Sequence, residues 1–203
     1  VATQAVSVNS LGWQAFKAWN LPQDASILMI GAGATNTSVG RFLRKAGYQN
    51  LHVINRSLNR AKALADILHT SKVGTLHALP AALSEGPDAI VICTGSDQAL
   101  LSGAHARMLP AGPLHVLDRG VPSGVDASFR ERPELNVVDM TALKAIADQN
   151  LAIRATEVGK CETLLEAGLD EYLERLQARE VELALIELPQ MIKAIRETAM
   201  GEI

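Results

Sequence analysis

Residues Ser26–Ile30 (SILMI) form a short apolar run that stops at Gly31-Ala32-Gly33, and a helical pattern begins directly behind the glycines. Few junctions constrain a chain more. An unalternating apolar run of this length suits a strand buried on both faces of a parallel sheet, because a strand with one wet face would alternate. Gly31 and Gly33 permit a tight strand-to-helix turn and let a ligand approach the backbone. The following helix, with Val39, Phe42, Leu43 and Ala46 at helical spacing, would offer its unpaired first N–H groups and the positive end of its dipole to an anion such as a pyrophosphate. Gly47 stands where a left-handed cap would end that helix.

The strand–helix pattern then repeats. Leu51–Ile54 is expected as a second strand, and Ser57 as the cap of a helix whose inner face is Leu58, Ala61, Leu64, Ala65 and Leu68. Val73–Leu76 is a weak strand, Pro80–Leu83 a helical turn, and Ala89–Cys93 a strong strand closing on Thr94-Gly95-Ser96. Leu114–Leu117 ends in Asp118-Arg119-Gly120, and Leu135–Val138 is the last strand. Residues 3–19, with Val6, Trp13, Phe16 and Ala18, read as a leading helix stopped by Asn20-Leu21-Pro22. This alternation predicts an α/β fold: a doubly wound, Rossmann-type, mostly parallel sheet. From about Thr141 the strand signal disappears. Val158, Cys161, Leu165, Leu169, Tyr172 and Leu176 follow steps of three and four among charged residues. The expectation is a long C-terminal amphipathic helix whose apolar stripe buries against another domain or a second subunit. Pro189 interrupts the pattern, and a helix is expected to restart there with Leu188, Ile192 and Ile195 inside.

Composition narrows the function classes. Net charge is −3 with an isoelectric point near 6.0, and Lys and Arg form no cluster, which argues against a nucleic-acid surface. No apolar run approaches the roughly 18 residues of a membrane span. The chain opens on Val1 without a basic-then-apolar leader and is read as an excised piece of a cytoplasmic protein. Aromatic residues make up only 3%, so the core is expected to be aliphatic. Cys93 and Cys161 are far apart and fit neither a metal pattern nor a disulfide scaffold; both are read as packed thiols. None of the five histidines falls in an acid–base pair, and none is assigned a role.

The end of the second strand bears on which dinucleotide is held. NAD sites usually place an acid there for the ribose hydroxyls, and that acid would repel a 2′-phosphate. Here Asn55-Arg56-Ser57 stand in its place, with Arg60 one turn on, and guanidinium and hydroxyl groups favour a phosphate. NADP is therefore expected rather than NAD; the plainer alternatives are a tight turn without a ligand and a solvated Arg56. Thr94-Gly95-Ser96 lie at the carboxyl edge, where a nicotinamide ribose could approach. Asp118 is read as orienting a loop rather than as catalytic.

Several motifs together resemble the glutamyl-tRNA reductase family: GAGATN, NRSLNRAKALA, VICTGS, LDRGVPSGVD, NVVDMTALKAIADQNLAIR and, more weakly, YLERLQARE, with QAVSVNSLGWQAF ahead of them. The first two are shared with shikimate dehydrogenases. The resemblance implies an NADPH domain and part of a spinal helix. The cysteine that forms a glutamyl thioester would lie in an N-terminal catalytic domain not present in this sequence. Hydride delivery to that thioester would give glutamate-1-semialdehyde on the route to tetrapyrroles. The implied partners are a second copy joined through the C-terminal helices, glutamyl-tRNA held by the missing domain, and glutamate-1-semialdehyde aminotransferase. The implied organisation is a leading helix over 1–20, an NADP-binding domain over 21–148, and a spinal helix with the start of a dimerisation region over 149–203.

The candidate cofactor-binding residues are Gly31, Ala32, Gly33, Ala34, Thr35 and Asn36 at the pyrophosphate, Asn55, Arg56, Ser57 and Arg60 at the 2′-phosphate, and Thr94, Gly95, Ser96 and Val121 beside the nicotinamide. No catalytic or metal-ligating residue is assigned within the chain. Two departures from the family pattern stand out: Asn36 where a glycine is usual, and Arg119-Gly120 in place of a more apolar pair. The competing expectations are a shikimate-dehydrogenase-like NADP oxidoreductase and a non-catalytic NADP-binding module.

Overall fold

The computed structural model describes residues 8–200. The chain divides after Leu151 into two units. In the first, β1 (Ile27–Ile30), β2 (Leu51–Ile54), β3 (Val73–Gly74), β4 (Ala89–Ile92), β5 (Leu114–Asp118) and β6 (Leu135–Val138) form one sheet in the order β3-β2-β1-β4-β5-β6, with every pair parallel. This is the doubly wound, Rossmann-type arrangement, whose strand order reverses between β1 and β4.

The central strands are buried along their whole length, as their apolar runs require. Side chains still separate by period two. Ile27 and Met29 of β1 face one core layer, with α2 (Ala34–Lys45) and α3 (Leu58–Ile67), while Leu28 and Ile30 face the other, with α4 (Leu79–Ser84) and Phe129 of the short α6 (Ala127–Arg130). Gly47, at φ +99, ends α2 in the left-handed conformation, and Ser57 caps α3 by accepting the Arg60 N–H at 3.5 Å. Arg44 holds the two helix ends together: its guanidinium donates to the carbonyls of Leu68, His69, Tyr48 and Gln49.

The leading helix α1 (Val8–Ala18) is part of this core, with Leu11 and Phe16 buried. The few aromatic residues are concentrated beneath it. Phe16 lies 5.1 Å from Trp19, 5.6 Å from Tyr48 and 6.0 Å from Trp13, and Trp13 stacks on Phe42 at 5.7 Å. An expectation of a purely aliphatic core is corrected here, because scarcity in composition says nothing about clustering in space. Residues 3–7 of the expected leading helix lie outside the described residues.

Other expectations shift locally. Leu58, the first residue of α3, is 40% exposed rather than on the inner face. The weak third strand is only Val73–Gly74, because Leu76 already begins a 3-10 turn, Leu76–Ala78. The helix α5 (Gly103–Ala106) and the helix α6 carry too few turns to show a period.

The last helix, α7 (Met140–Met200), begins within the first unit, where Leu143 is buried and Asp139 accepts the Ala142 N–H at 3.0 Å. It does not break at Pro189. A proline removes one backbone hydrogen bond and costs about 3 kcal/mol, but the good helix formers on either side outweigh a single lost bond. In the second unit Val158, Leu165, Leu169, Tyr172 and Leu176 stand exposed, as do Leu188, Ile192 and Ile195. Cys161 is also exposed, against its reading as a packed thiol, because it shares that uncovered stripe. Among the described residues no helix is long and apolar enough to cross a membrane.

Two predictions follow the packing. Phe16→Ala removes the centre of the aromatic cluster and is expected to cost about 3–5 kcal/mol in a urea titration. Burial pushes the imidazoles of His52 and His115 below the ordinary 6.5, so both are held neutral in the fold. Each then contributes stability that is fully present above pH 6.5 and is lost as pH falls from there through the lowered folded value. Unfolding midpoints measured from pH 7 to 5 should fall, and less steeply in His115→Phe, which keeps the stack on Trp19 that lies 4.9 Å away.

Candidate functional site: a crevice at the strand-order reversal

At the carboxyl ends of β1 and β4 the chain turns away to opposite sides of the sheet, and a cleft of about 270 Å³ opens there. Gly31 and Cys93 are the first residues past the paired ends Ile30 and Ile92. They are so close that a Cβ on Gly31 would sit 2.1 Å from the Cys93 carbonyl oxygen, and Gly31 takes φ +104. Gly33 and Gly95, in contrast, face open space, with nothing within 4 Å of an added Cβ.

The N-terminus of α2 forms the floor. Gly33 is its N-cap, and no side chain caps it, so its first-turn N–H groups are available to an anion. The far wall is Asn55, Arg56 and Arg60, with Leu76, which sequence reasoning did not single out. The near wall is Cys93, Thr94, Gly95, Ser96 and Leu100. Cys93 and Leu100 were also missed as cleft residues. The sequence reads Cys93 as the last residue of its strand, but β4 ends at Ile92 opposite Ile30, and that register sets Cys93 level with Gly31. Burial pushes its thiol up, against smaller opposing influences from the Thr35 side chain and the Arg119 guanidinium. The thiol donates to the Arg119 carbonyl at 3.6 Å. Such a thiol stays neutral and is a poor nucleophile.

The structure thus brings Gly31, Ala32, Gly33, Asn55, Arg56, Arg60, Thr94, Gly95 and Ser96 around one cleft. Ala34 and Thr35 lie on the first turn of α2 behind it. Asn36 is fully buried, and its side chain turns inward to the carbonyls of Ile30 and Gly31, each at 2.9 Å. Ser57 is spent on its cap, while its carbonyl accepts the Asn55 amide at 3.0 Å. Val121 is 75% exposed and is not among the residues lining the cleft.

Beyond β5, Asp118 is fully buried and its carboxylate accepts the Gly120 N–H at 2.9 Å, the Gly124 N–H at 3.0 Å and the Ser123 hydroxyl at 2.6 Å. Three donors organise the loop from Gly120 to Gly124. Arg119 is buried beside Gly12 of α1, and desolvation lowers its guanidinium from the usual value. One arrangement read past in the sequence is Ser102 with His105, whose Oγ and Nδ1 are 3.0 Å apart; these two close a capping box on α5.

The strand order, the crevice at its reversal and the uncapped helix start define a Rossmann-type α/β domain with a site of nucleotide-binding shape. The family model for shikimate / quinate 5-dehydrogenase matches residues 14–146, and the chain belongs to that family. Glutamyl-tRNA reductase from Chlorobium phaeobacteroides (strain DSM 266 / SMG 266 / 2430) is 30% identical over 175 residues, which cover 84% of this chain and 41% of that protein. The chain therefore spans about two fifths of such relatives. Among solved structures, glutamyl-tRNA reductase from Methanopyrus kandleri superposes with a TM-score of 0.68 at 25% identity, over 88% of this chain and 47% of that one. The nucleotide binding domain of glutamyl-tRNA reductase from Thermoplasma volcanium shares the fold, with a TM-score of 0.56 at 17% identity over 74% of this chain and 98% of that one.

The two loop glycines should separate on substitution. Gly31→Ala meets backbone at 2.1 Å in a left-handed conformation and is expected to unfold the domain or lower its stability by more than about 3 kcal/mol. Gly33→Ala adds a methyl to open space. It should leave the melting temperature nearly unchanged and weaken dinucleotide binding in the same preparation.

Proposed function

We propose that this chain is the NADPH-binding part of a glutamyl-tRNA reductase acting in the cytoplasm. When bound, NADPH supplies the hydride that converts a glutamyl thioester to glutamate-1-semialdehyde for porphyrin synthesis. The observation that carries the cofactor assignment is Arg56 and Arg60 standing together on the far wall of a cleft whose floor is an uncapped helix start. The residues fit the group. The α2 N–H groups would hold the diphosphate, the two guanidiniums the 2′-phosphate, and Gly95, facing open space, leaves room for the nicotinamide ribose. The protein's part is to bind and orient, and to keep the Cys93 thiol neutral beside the site.

The substrate assignment rests on the glutamyl-tRNA reductases among its relatives, at 30% identity over 84% of the chain. In the proposed whole protein, the nucleophile and the glutamate site come from a separate catalytic domain, which also holds glutamyl-tRNA. The exposed stripe of α7 pairs with a second copy, and glutamate-1-semialdehyde aminotransferase receives the product. A shikimate-dehydrogenase-like oxidoreductase is favoured by the family match, but that match stops at residue 146 and leaves most of α7 outside it. Shikimate oxidation with NADP by the full-length protein would select this second reading. Coenzyme binding with neither activity would select a non-catalytic NADP module.

Titration of the chain with NADPH and NADH, repeated with Arg56→Ala, tests the cofactor. NADPH should bind the parent chain more tightly, and the substitution should cost roughly tenfold to hundredfold for NADPH with little change for NADH. Equal binding of both coenzymes, unmoved by the substitution, would remove the phosphate assignment.

A further inference from the structure

Asn36 occupies the third position of the turn that begins with Gly31 and Gly33, where a glycine ordinarily serves close packing of helix on strand. In this chain that close packing occurs one turn later. A Cβ on Gly40 would lie 2.7 Å from Leu68 Cδ1 and 3.2 Å from Met29 Cε, so Gly40 is the residue at which α2 presses on its neighbours. Position 36 is thereby released for a side chain, and the one it carries is fully buried.

The bonds of that side chain are specific. Its amide nitrogen donates to the Ile30 carbonyl and to the Gly31 carbonyl, each at 2.9 Å. The Ile30 carbonyl already accepts the Cys93 N–H across the sheet at 3.0 Å, so Asn36 takes its second lone pair. The Ile30 carbonyl lies within the sheet, while Gly31, just past the carboxyl end of β1, lines the cleft. A peptide carbonyl left facing a diphosphate repels it, whereas one tied to a donor behind the turn does not. The Asn36 oxygen Oδ1 is itself buried without a hydrogen-bond partner among the described residues. Keeping a buried acceptor unpaired is costly, and that cost fits a residue held for its two donors.

We infer that Asn36 is a positioning residue for the diphosphate: it ties back the carbonyl of Gly31, so that N–H groups of α2, and not this carbonyl, face the bound anion. This rests on the dinucleotide assignment above and deepens it. Asn36 acts through the backbone and does not touch the ligand.

The test uses the full 203-residue chain, its Asn36→Ala and Asn36→Ser variants, and two probes read by calorimetry. NADPH carries the diphosphate; adenosine 2′-monophosphate carries the adenosine and the 2′-phosphate but no 5′-phosphate. Asn36→Ala should weaken NADPH about tenfold or more, and leave the 2′-monophosphate within about twofold. Asn36→Ser, which keeps one donor, should fall between the parent and Asn36→Ala for NADPH. Binding of the 2′-monophosphate also reports that the variants are folded. If both probes weaken together in both variants, or if NADPH is unmoved, Asn36 has no role toward the diphosphate and the inference is overturned. If the parent chain binds neither probe, the dinucleotide assignment itself falls.

Discussion

The structure turns on the contact between Gly31 and the carbonyl of Cys93. Two neighbouring strands reach their ends level with each other and then part, and the gap between the departing chains opens the cleft at the edge of the sheet. For that gap to form, β1 must bend within one residue of its end while pressed against β4. A side chain there would lie 2.1 Å from backbone, so the bend requires a residue with no Cβ and a positive φ. The direction of α2, the bareness of its first turn and the openness at Gly33 all follow from that bend.

Around the bend the cleft divides its electrostatic work. The floor presents backbone N–H groups, whose partial charges suit a shared diphosphate. The far wall presents Arg56 and Arg60, full charges suited to a terminal phosphate. The near wall is small and nearly neutral, and burial keeps its thiol protonated. Behind these surfaces lie groups that hold the loops in shape. Asp118 gathers three donors from its own loop, and Arg44 pins the ends of α2 and α3. Such bonds contribute modestly each, but each also spares a buried polar group the larger cost of having no partner.

Much of this was legible residue by residue. Leu51–Ile54 and Leu135–Val138 are strands with the bounds their apolar runs indicate, and Gly47 and Ser57 cap as their types suggest. The glycine loop and Asn55-Arg56 were legible because strand ends and helix starts carry local signals. What escaped depends on neighbours distant in the chain. The aromatic cluster joins residues 13 to 48 across two helices. Leu58 has the right period but is 40% exposed at the first residue of its helix, and Leu76 and Leu100 reach the cleft because separate connections end beside it. Pro189 misled in the other direction, since a local breaker lost to the helix propensity of its surroundings.

By itself the sequence determined the alternation of buried strands and helices, the position of the glycine turn at the cleft, and the cation-bearing strand end beside it. These are matters of period, charge and the conformational freedom of glycine, all of which act within a few residues. Only the tertiary structure decided that Gly40 rather than residue 36 carries the close helix packing, that Asn36 points inward to two carbonyls, and that Cys93 is a wall of the cleft. Those outcomes depend on which strands become neighbours and how their ends line up, and register between distant segments is set by the packing of the whole core.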